Sequence, residues 1–72
     1  MNNLAEALPR EIERVREHIL PQYEALIGMP NVMVEPTIAM MRHSISEAIK
    51  AAASGDVVAM LRCYQDLKEY GV

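Results

Sequence analysis

The amino-acid sequence predicts an all-α fold in which three helices form one small domain over residues 1–72. Apolar residues recur every three or four positions in three successive stretches, which is the spacing of one helix face. Gly28, Gly55 and Gly71 are the three glycines, and each lies at an expected end of one of these stretches. No stretch alternates between apolar and polar residues for long enough to predict paired strands. Hydrophobic residues make up 51% of the chain and charged residues 24%, which is typical of a folded domain.

The first predicted helix extends from about Leu4 to Ile27. Its apolar face is formed by Leu8, Ile12, Val15, Ile19, Tyr23 and Leu26. Pro9 suits the first turn, where its missing N–H costs little. Pro21 falls inside the pattern, where it removes one hydrogen bond and crowds the carbonyl four residues earlier. Because the apolar spacing continues past Pro21, we expect one long helix with a kink there, and two helices meeting near Leu20 are the alternative.

The segment MPNVMVEP, residues 29–36, is predicted to be an extended connector between the first two helices. Gly28, which precedes it, suits the left-handed residue that commonly ends a helix. Val32 and Val34 are expected to point to one side of the connector and Met33 to the other. A lone strand would lack a partner within the chain, so the segment is predicted to be a loop. Pairing with the same segment of a second copy is the alternative.

The last two helices are predicted to form an αα-hairpin with Gly55 and Asp56 at its turn. Gly55 is suited to end the second helix, and Asp56 is suited to cap the start of the third. A turn this short makes the two helices antiparallel neighbours, and the first helix is expected to pack across both.

The second predicted helix begins near Pro36 and ends at Ser54, and the third extends from Val57 to about Tyr70. The apolar face of the second contains Ile38, Met41, Ile45, Ala48, Ile49 and Ala52. The apolar face of the third contains Val57, Met60, Leu61, Tyr64 and Leu67. Together with the face of the first helix, these residues form the predicted core.

Charge, cysteine usage and hydropathy narrow the possible functions. The formal net charge of −3 disfavours a nucleic-acid backbone as the main partner. Cys63 is the single cysteine and cannot form a disulfide within the chain, which is typical of a reducing cytoplasm. No apolar run approaches the roughly 20 residues of a membrane span, and the N-terminal sequence lacks the features of a signal peptide. We therefore expect a cytoplasmic protein without a membrane role.

Side chains that carry catalysis or bind metals are sparse. His18, His43 and Cys63 lie on three different predicted helices without a paired ligand spacing, so neither a metal nor another cofactor is predicted. His18 is expected to be half-buried, and His43 is expected to face solvent. Cys63 lies past the middle of its helix, so it is expected to be partly buried and inert. Without a nucleophile motif or a glycine-rich phosphate loop, the sequence predicts no catalytic residue and no enzymatic activity.

A small acidic transcriptional regulator that binds DNA through the hairpin is the alternative to a protein-binding role. A short glycine-containing turn between two helices is compatible with a helix-turn-helix motif. The would-be recognition helix, however, begins with Asp56, Val57, Val58 and Ala59. Helices that bind duplex DNA usually present basic or amide side chains at that end, so DNA binding is the less favoured hypothesis.

The apolar side chains exceed what one small three-helix core needs. The chain has six methionines, and methionine suits both irregular cores and surfaces that bind partners. Met40 lies far from the main apolar face of the second helix. The residues assigned to an interface are Leu20, Ile27, Val32, Met33, Val34, Met40 and His43. Since 72 residues are near the lower limit for a core that folds alone, we predict a homodimer that acts by protein–protein contact, as an adaptor, assembly factor or inhibitor.

Overall fold

The computed structural model describes residues 3–71 of the chain, of which 77% are helical and none forms a strand. The elements are α1 (Leu4–Arg14), a π-helical turn (Val15–Ile19), α2 (Leu20–Glu24), α3 (Glu35–Ser54) and α4 (Val57–Lys68). The first three follow one another without a loop and correspond to the first predicted helix; they are called the first rod below. The predicted all-α class with three helical segments is therefore confirmed.

The first rod begins with a side-chain cap and ends three residues earlier than predicted. The side-chain oxygen of Asn3 accepts a hydrogen bond from the Glu6 N–H at 3.0 Å, which satisfies one of the free donors at the start of α1. Pro9 lies in the second turn of α1 rather than the first. The last helical residue is Glu24, whereas the prediction extended to Ile27.

The π turn ends at Ile19, two residues before Pro21, where the kink was predicted. The N–H of Leu20 donates to the carbonyl of Val15, five residues earlier, so this turn contains one residue more than an α-helical turn. The wider turn falls where the proline ring would otherwise crowd the Glu17 carbonyl. The helical backbone thus continues through Pro21 as expected, while a bend of the axis there remains a prediction.

The hairpin joining α3 and α4 has the predicted turn. Gly55 adopts the left-handed conformation at φ 73°, and its N–H donates to the Ala51 carbonyl. The Asp56 carboxylate accepts hydrogen bonds from the N–H groups of Val58 and Ala59 at 3.0 and 3.3 Å. These local bonds end one helix and start the next within two residues, so α4 runs back antiparallel along α3.

The shorter length of α4 leaves one half of the molecule with only two helical layers. Arg14, at the end of α1, donates to the carbonyls of Leu67 and Tyr70, so α1 runs parallel to α4. Tyr70 follows the end of α4 and meets Ser44, the tenth of the twenty residues of α3. The first rod packs against α3 through α1, the π turn and α2, whereas α4, with 12 residues against the 20 of α3, is too short to follow α3 to its start. The molecule is correspondingly long and thin, with principal extents of 42 × 20 × 15 Å.

The core confirms most of the predicted apolar faces. Its buried members are Leu8, Ile12, Val15, Ile19, Leu20, Val34, Ile38, Met41, Ile45, Ala48, Ala51, Met60 and Leu67. Four residues assigned to the core are instead exposed: Leu26, Ile49, Val57 and Leu61. Val57 and Leu61 lie at the edge of α4, where the bundle provides no further helix to cover them.

Leu20 and Val34 are buried, although both were predicted to lie at an interface outside the core. Leu20 follows the π turn, and one inserted residue rotates the following side chains by roughly 100° relative to an uninterrupted α-helix. That rotation turns Leu20 inward. Val34 lies four residues before Ile38, whose N–H donates to the Val34 carbonyl, so Val34 shares the buried face of α3.

Candidate functional site

The loop between α2 and α3 forms an apolar surface without charge. Residues 25–34 contain no Asp, Glu, Lys, Arg or His. Five large apolar side chains in this loop are exposed, and they are called the connector patch below: Leu26, Ile27, Met29, Val32 and Met33. Met33 is the most accessible of them, with 83% of its surface exposed to solvent. Large apolar side chains gathered in this way usually mark a contact surface.

Successive tight turns hold the connector patch outward. The N–H groups of Leu26 and Ile27 donate to carbonyls of the last turn of α2, and the Met29 N–H donates to the Leu26 carbonyl at 3.2 Å. Gly28 and Asn31 both have positive φ, which glycine and asparagine tolerate best. The loop is therefore more folded than the predicted extended connector. Its side chains project because the backbone turns within the loop itself.

Val34 anchors the loop to the core while Met33 points outward. Val34 is buried and Met33 is largely exposed, so the predicted alternation holds for this pair. Val32 is exposed, at 37%, and does not share the burial of Val34, so the predicted common side for these two valines is wrong. Val34 is thus the one large apolar side chain of the loop that is buried in the core, and the five of the connector patch are exposed.

Met40 is a further exposed apolar side chain, on α3. Its side chain is 62% exposed. Ser44, one helical turn later on the same side of α3, meets Tyr70 at the end of α4. Met40 therefore lies on the side of α3 that faces α4. It is one turn closer to the start of α3 than Ser44, past the end of α4.

The structure divides the seven predicted interface residues into two groups. Ile27, Val32, Met33, Met40 and His43 are exposed and available for contact. Leu20 and Val34 are buried in the chain's own core, as described above.

Sequence reasoning missed two members of the connector patch. Leu26 was assigned to the inner face of the first helix, and Met29 was assigned to no surface. Gly28 and Pro30 were the available signals that the helix ends before this segment. Leu26 and Met29 therefore lie in a loop, where a helical apolar spacing does not predict burial.

A second apolar group lies at the start of α4. Val57, Val58 and Leu61 are 66%, 63% and 46% exposed, and they are called the α4 patch below. This is the end of the helix that a DNA-binding hairpin would present to the duplex. It offers methyl groups beside the Asp56 carboxylate rather than donors for bases or phosphates.

Cys63 borders an open groove of about 340 Å³ between α3 and α4. Partial burial raises the pKa of the Cys63 thiol, the charges of Asp66 and Glu47 raise it further, and Arg62 opposes them. The amine of Lys50, also in the groove, is paired with Glu47 at 3.3 Å. The thiol is therefore held in its protonated, poorly nucleophilic form, and Cys63 is half-buried as expected.

The two histidines lie on the surface and do not join a cluster. His43 is exposed as predicted, whereas His18 is exposed rather than half-buried. In the part of the chain that the structure describes, no three His, Cys, Asp or Glu side chains are grouped as ligands of one metal ion. None of the helices over residues 3–71 combines the length and apolar character needed to cross a membrane.

Comparison with known proteins finds no relative: no family model, no curated protein and no solved structure matches the chain.

Proposed function

We propose that this chain is a small helical interaction protein of the cytoplasm, which forms a homodimer and acts by protein–protein contact. Its role would be that of an adaptor, an assembly factor or an inhibitor. The observation that carries the proposal is the connector patch, whose five large apolar side chains are exposed on a ten-residue loop without charge. Surfaces of this kind are unfavourable in water and are usually covered by a partner.

The limited core supports the same proposal. Of the large apolar residues, Leu8, Val15, Met41 and Leu67 have almost no exposed surface. A chain of this size buries a small share of its surface, and association with another chain adds buried apolar area. Dimer formation through the connector patch would therefore also stabilise the fold of each chain.

A protein partner is favoured over DNA by the chemistry of α4. The electrostatic affinity for the DNA backbone comes mainly from Lys and Arg side chains, and specific base contacts depend largely on polar groups. The α4 patch supplies neither, and the whole chain carries a net charge of −3. The cytoplasmic location is supported by the single cysteine, which the structure leaves as a free thiol.

Sedimentation of the purified chain over a wide concentration range tests the proposal. We expect a species of twice the 8.1 kDa chain mass and a melting temperature that rises with protein concentration. Because the contact is apolar, the dimer should persist at high salt, whereas a dimer held by ion pairs would weaken. A monomer at every concentration, with a melting temperature independent of concentration, would contradict the proposal.

A further inference from the structure

We infer that a second copy of the chain docks on the half of α3 that α4 leaves uncovered, with the connector patch beside it, around a twofold axis. The inference rests on the proposed function and specifies the surface that performs it. It places Met40 near the centre of the contact and the α4 patch outside it.

The first argument is the incomplete helical packing at this end. From the turn at Gly55 back toward Ser44, α3 runs beside α4, and the contact of Ser44 with Tyr70 lies at the far end of that segment. Residues 35–43 of α3 continue for more than two turns without that cover, a length of roughly 13 Å at 1.5 Å per residue. A helix from another chain fits the position that α4 does not reach.

The second argument is the amount of exposed apolar surface. The residues of the connector patch and Met40 together expose roughly 600 Å² of surface, backbone atoms included, against about 800 Å² that each partner contributes to a standard interface. Polar atoms at the rim supply the remainder of a typical interface. The area is therefore on the scale that a stable dimer needs, while the smaller α4 patch is not.

The third argument is charge. An interface around a twofold axis brings each patch against a copy of itself or its neighbour, so a patch with net charge would repel its mate. The ten-residue loop carries no charge, and the nearest cation on α3, Arg42, is paired with Glu24 at 2.6 Å. The other formally charged residue of this half of α3 is Glu35, whose carboxylate accepts a hydrogen bond from the Val34 N–H at 3.3 Å. Glu35 therefore has to stay at the solvated rim of the interface, while the uncharged loop and Met40 meet the second copy.

The same absence of charge argues against a membrane as the occupant. Helical segments that lie on membranes usually combine their apolar face with a row of Lys and Arg that contacts anionic lipid. The connector patch has no such row.

Two glutamate substitutions with a matched control test the inference. Met40→Glu places a charge at the proposed centre, and Val58→Glu places the same charge at a side chain of equal exposure, 63% against 62%, on the α4 patch. We expect Met40→Glu to raise the dissociation constant of the dimer roughly 100-fold or more, because an unpaired charge is buried. Val58→Glu should leave the constant within about threefold of the unaltered chain. Met33→Glu, which lies in the loop and cannot disturb a helix, should weaken the dimer as Met40→Glu does.

Cross-linking gives an independent readout on folded protein. In a Cys63→Ser background, Met40→Cys should yield a covalent dimer with a short bismaleimide, and Val58→Cys should not. A dimer that resists both Met40→Glu and Met33→Glu but is lost with Val58→Glu would overturn this inference and leave the proposed function standing. A chain that is monomeric without any substitution would overturn the proposed function itself.

Discussion

The hydroxyl oxygens of Ser44 and Tyr70 lie 3.1 Å apart, joining the middle of α3 to the end of α4. Ser44 is buried, at 8% exposure, although its side chain is polar. Near the same place, the Arg14 guanidinium donates to the carbonyls of Leu67 and Tyr70. The end of α4 is therefore bonded to both of its neighbours, and this junction sets where the three-helix part of the molecule stops.

Removing either hydroxyl at this junction should destabilise the fold. Ser44→Ala and Tyr70→Phe are each expected to lower the free energy of unfolding by about 1 kcal/mol, the usual net contribution of a partly buried hydrogen bond. Because the two groups are partners, the double variant should cost less than the sum of the single variants. Urea denaturation of all four proteins measures the coupling, and strictly additive losses would contradict the bond.

Arg14→Met should lower the free energy of unfolding by about 1.5–3 kcal/mol, the range for hydrogen bonds to a charged group. The guanidinium donates to the Tyr70 carbonyl at 2.8 Å and to the Leu67 carbonyl at 3.1 Å, and it is also paired with Glu11 at 3.0 Å. The matched control is Arg10→Met on the exposed side of α1, which should change the free energy by less than about 0.5 kcal/mol. Equal losses for the two variants in urea denaturation would show that the Arg14 bonds do not stabilise the protein.

The cap at the start of α4 should tolerate asparagine but not alanine. Asp56→Ala removes the oxygen that accepts from the Val58 and Ala59 N–H groups, and we expect a loss of about 1 kcal/mol. Asp56→Asn keeps an acceptor at the same position and should lose only a few tenths of that. Thermal and urea unfolding followed by circular dichroism distinguish these outcomes, and equal losses for both variants would indicate that the charge, not the bond, is responsible.

Two leucines on α4 should respond very differently to truncation. Leu67 is fully buried, so Leu67→Ala should cost about 2–5 kcal/mol through lost burial and the cavity left behind. Leu61 is 46% exposed, and Leu61→Ala should cost less than about 1 kcal/mol. The comparison by denaturant unfolding directly tests the inward orientation that the sequence pattern assigned to both. Similar losses would mean that Leu61 is covered in solution.

Cys63 should react slowly with iodoacetamide in the folded protein. Burial and two nearby carboxylates raise the pKa of its thiol, so at about pH 8 a smaller fraction is thiolate than in a free cysteine, whose pKa is about 8.5. The pKa of the Cys63 thiol is higher in the folded chain than in the unfolded chain. Its contribution to the free energy of unfolding is therefore fully present below the unfolded pKa and is lost as pH rises through the folded pKa.

Asp66→Asn removes one of the two carboxylates and should therefore lower the pKa of the Cys63 thiol and accelerate alkylation. The pH profile of the alkylation rate, measured for both proteins, checks the shift. A profile identical to that of the urea-unfolded chain would contradict it.

The helices and the hairpin were predictable because their boundaries depend on local chemistry. The left-handed Gly55 and the Asp56 cap act within a few residues of themselves, so their effect can be derived from a short window of sequence. The same reasoning located Ile27, Val32, Met33 and Met40 on the surface, since they lie off the main apolar spacing or in the loop. It failed for Leu20, because the 3.6-residue period assumes an uninterrupted α-helix and the π turn adds a residue.

The sequence alone determined that the chain is helical, where its hairpin turns, and that it has more large apolar side chains than a small core hides. Those properties follow from spacing, capping and composition, which act between near neighbours or on the chain as a whole. Only the tertiary structure decided that Leu20 and Val34 turn inward and that Val57 and Leu61 stay outside. It also decided that the end of α4 lies beside Ser44, in the middle of α3. Burial at these positions depends on which helix lies opposite. That in turn depends on the lengths of the three helical segments and on how each is rotated about its own axis.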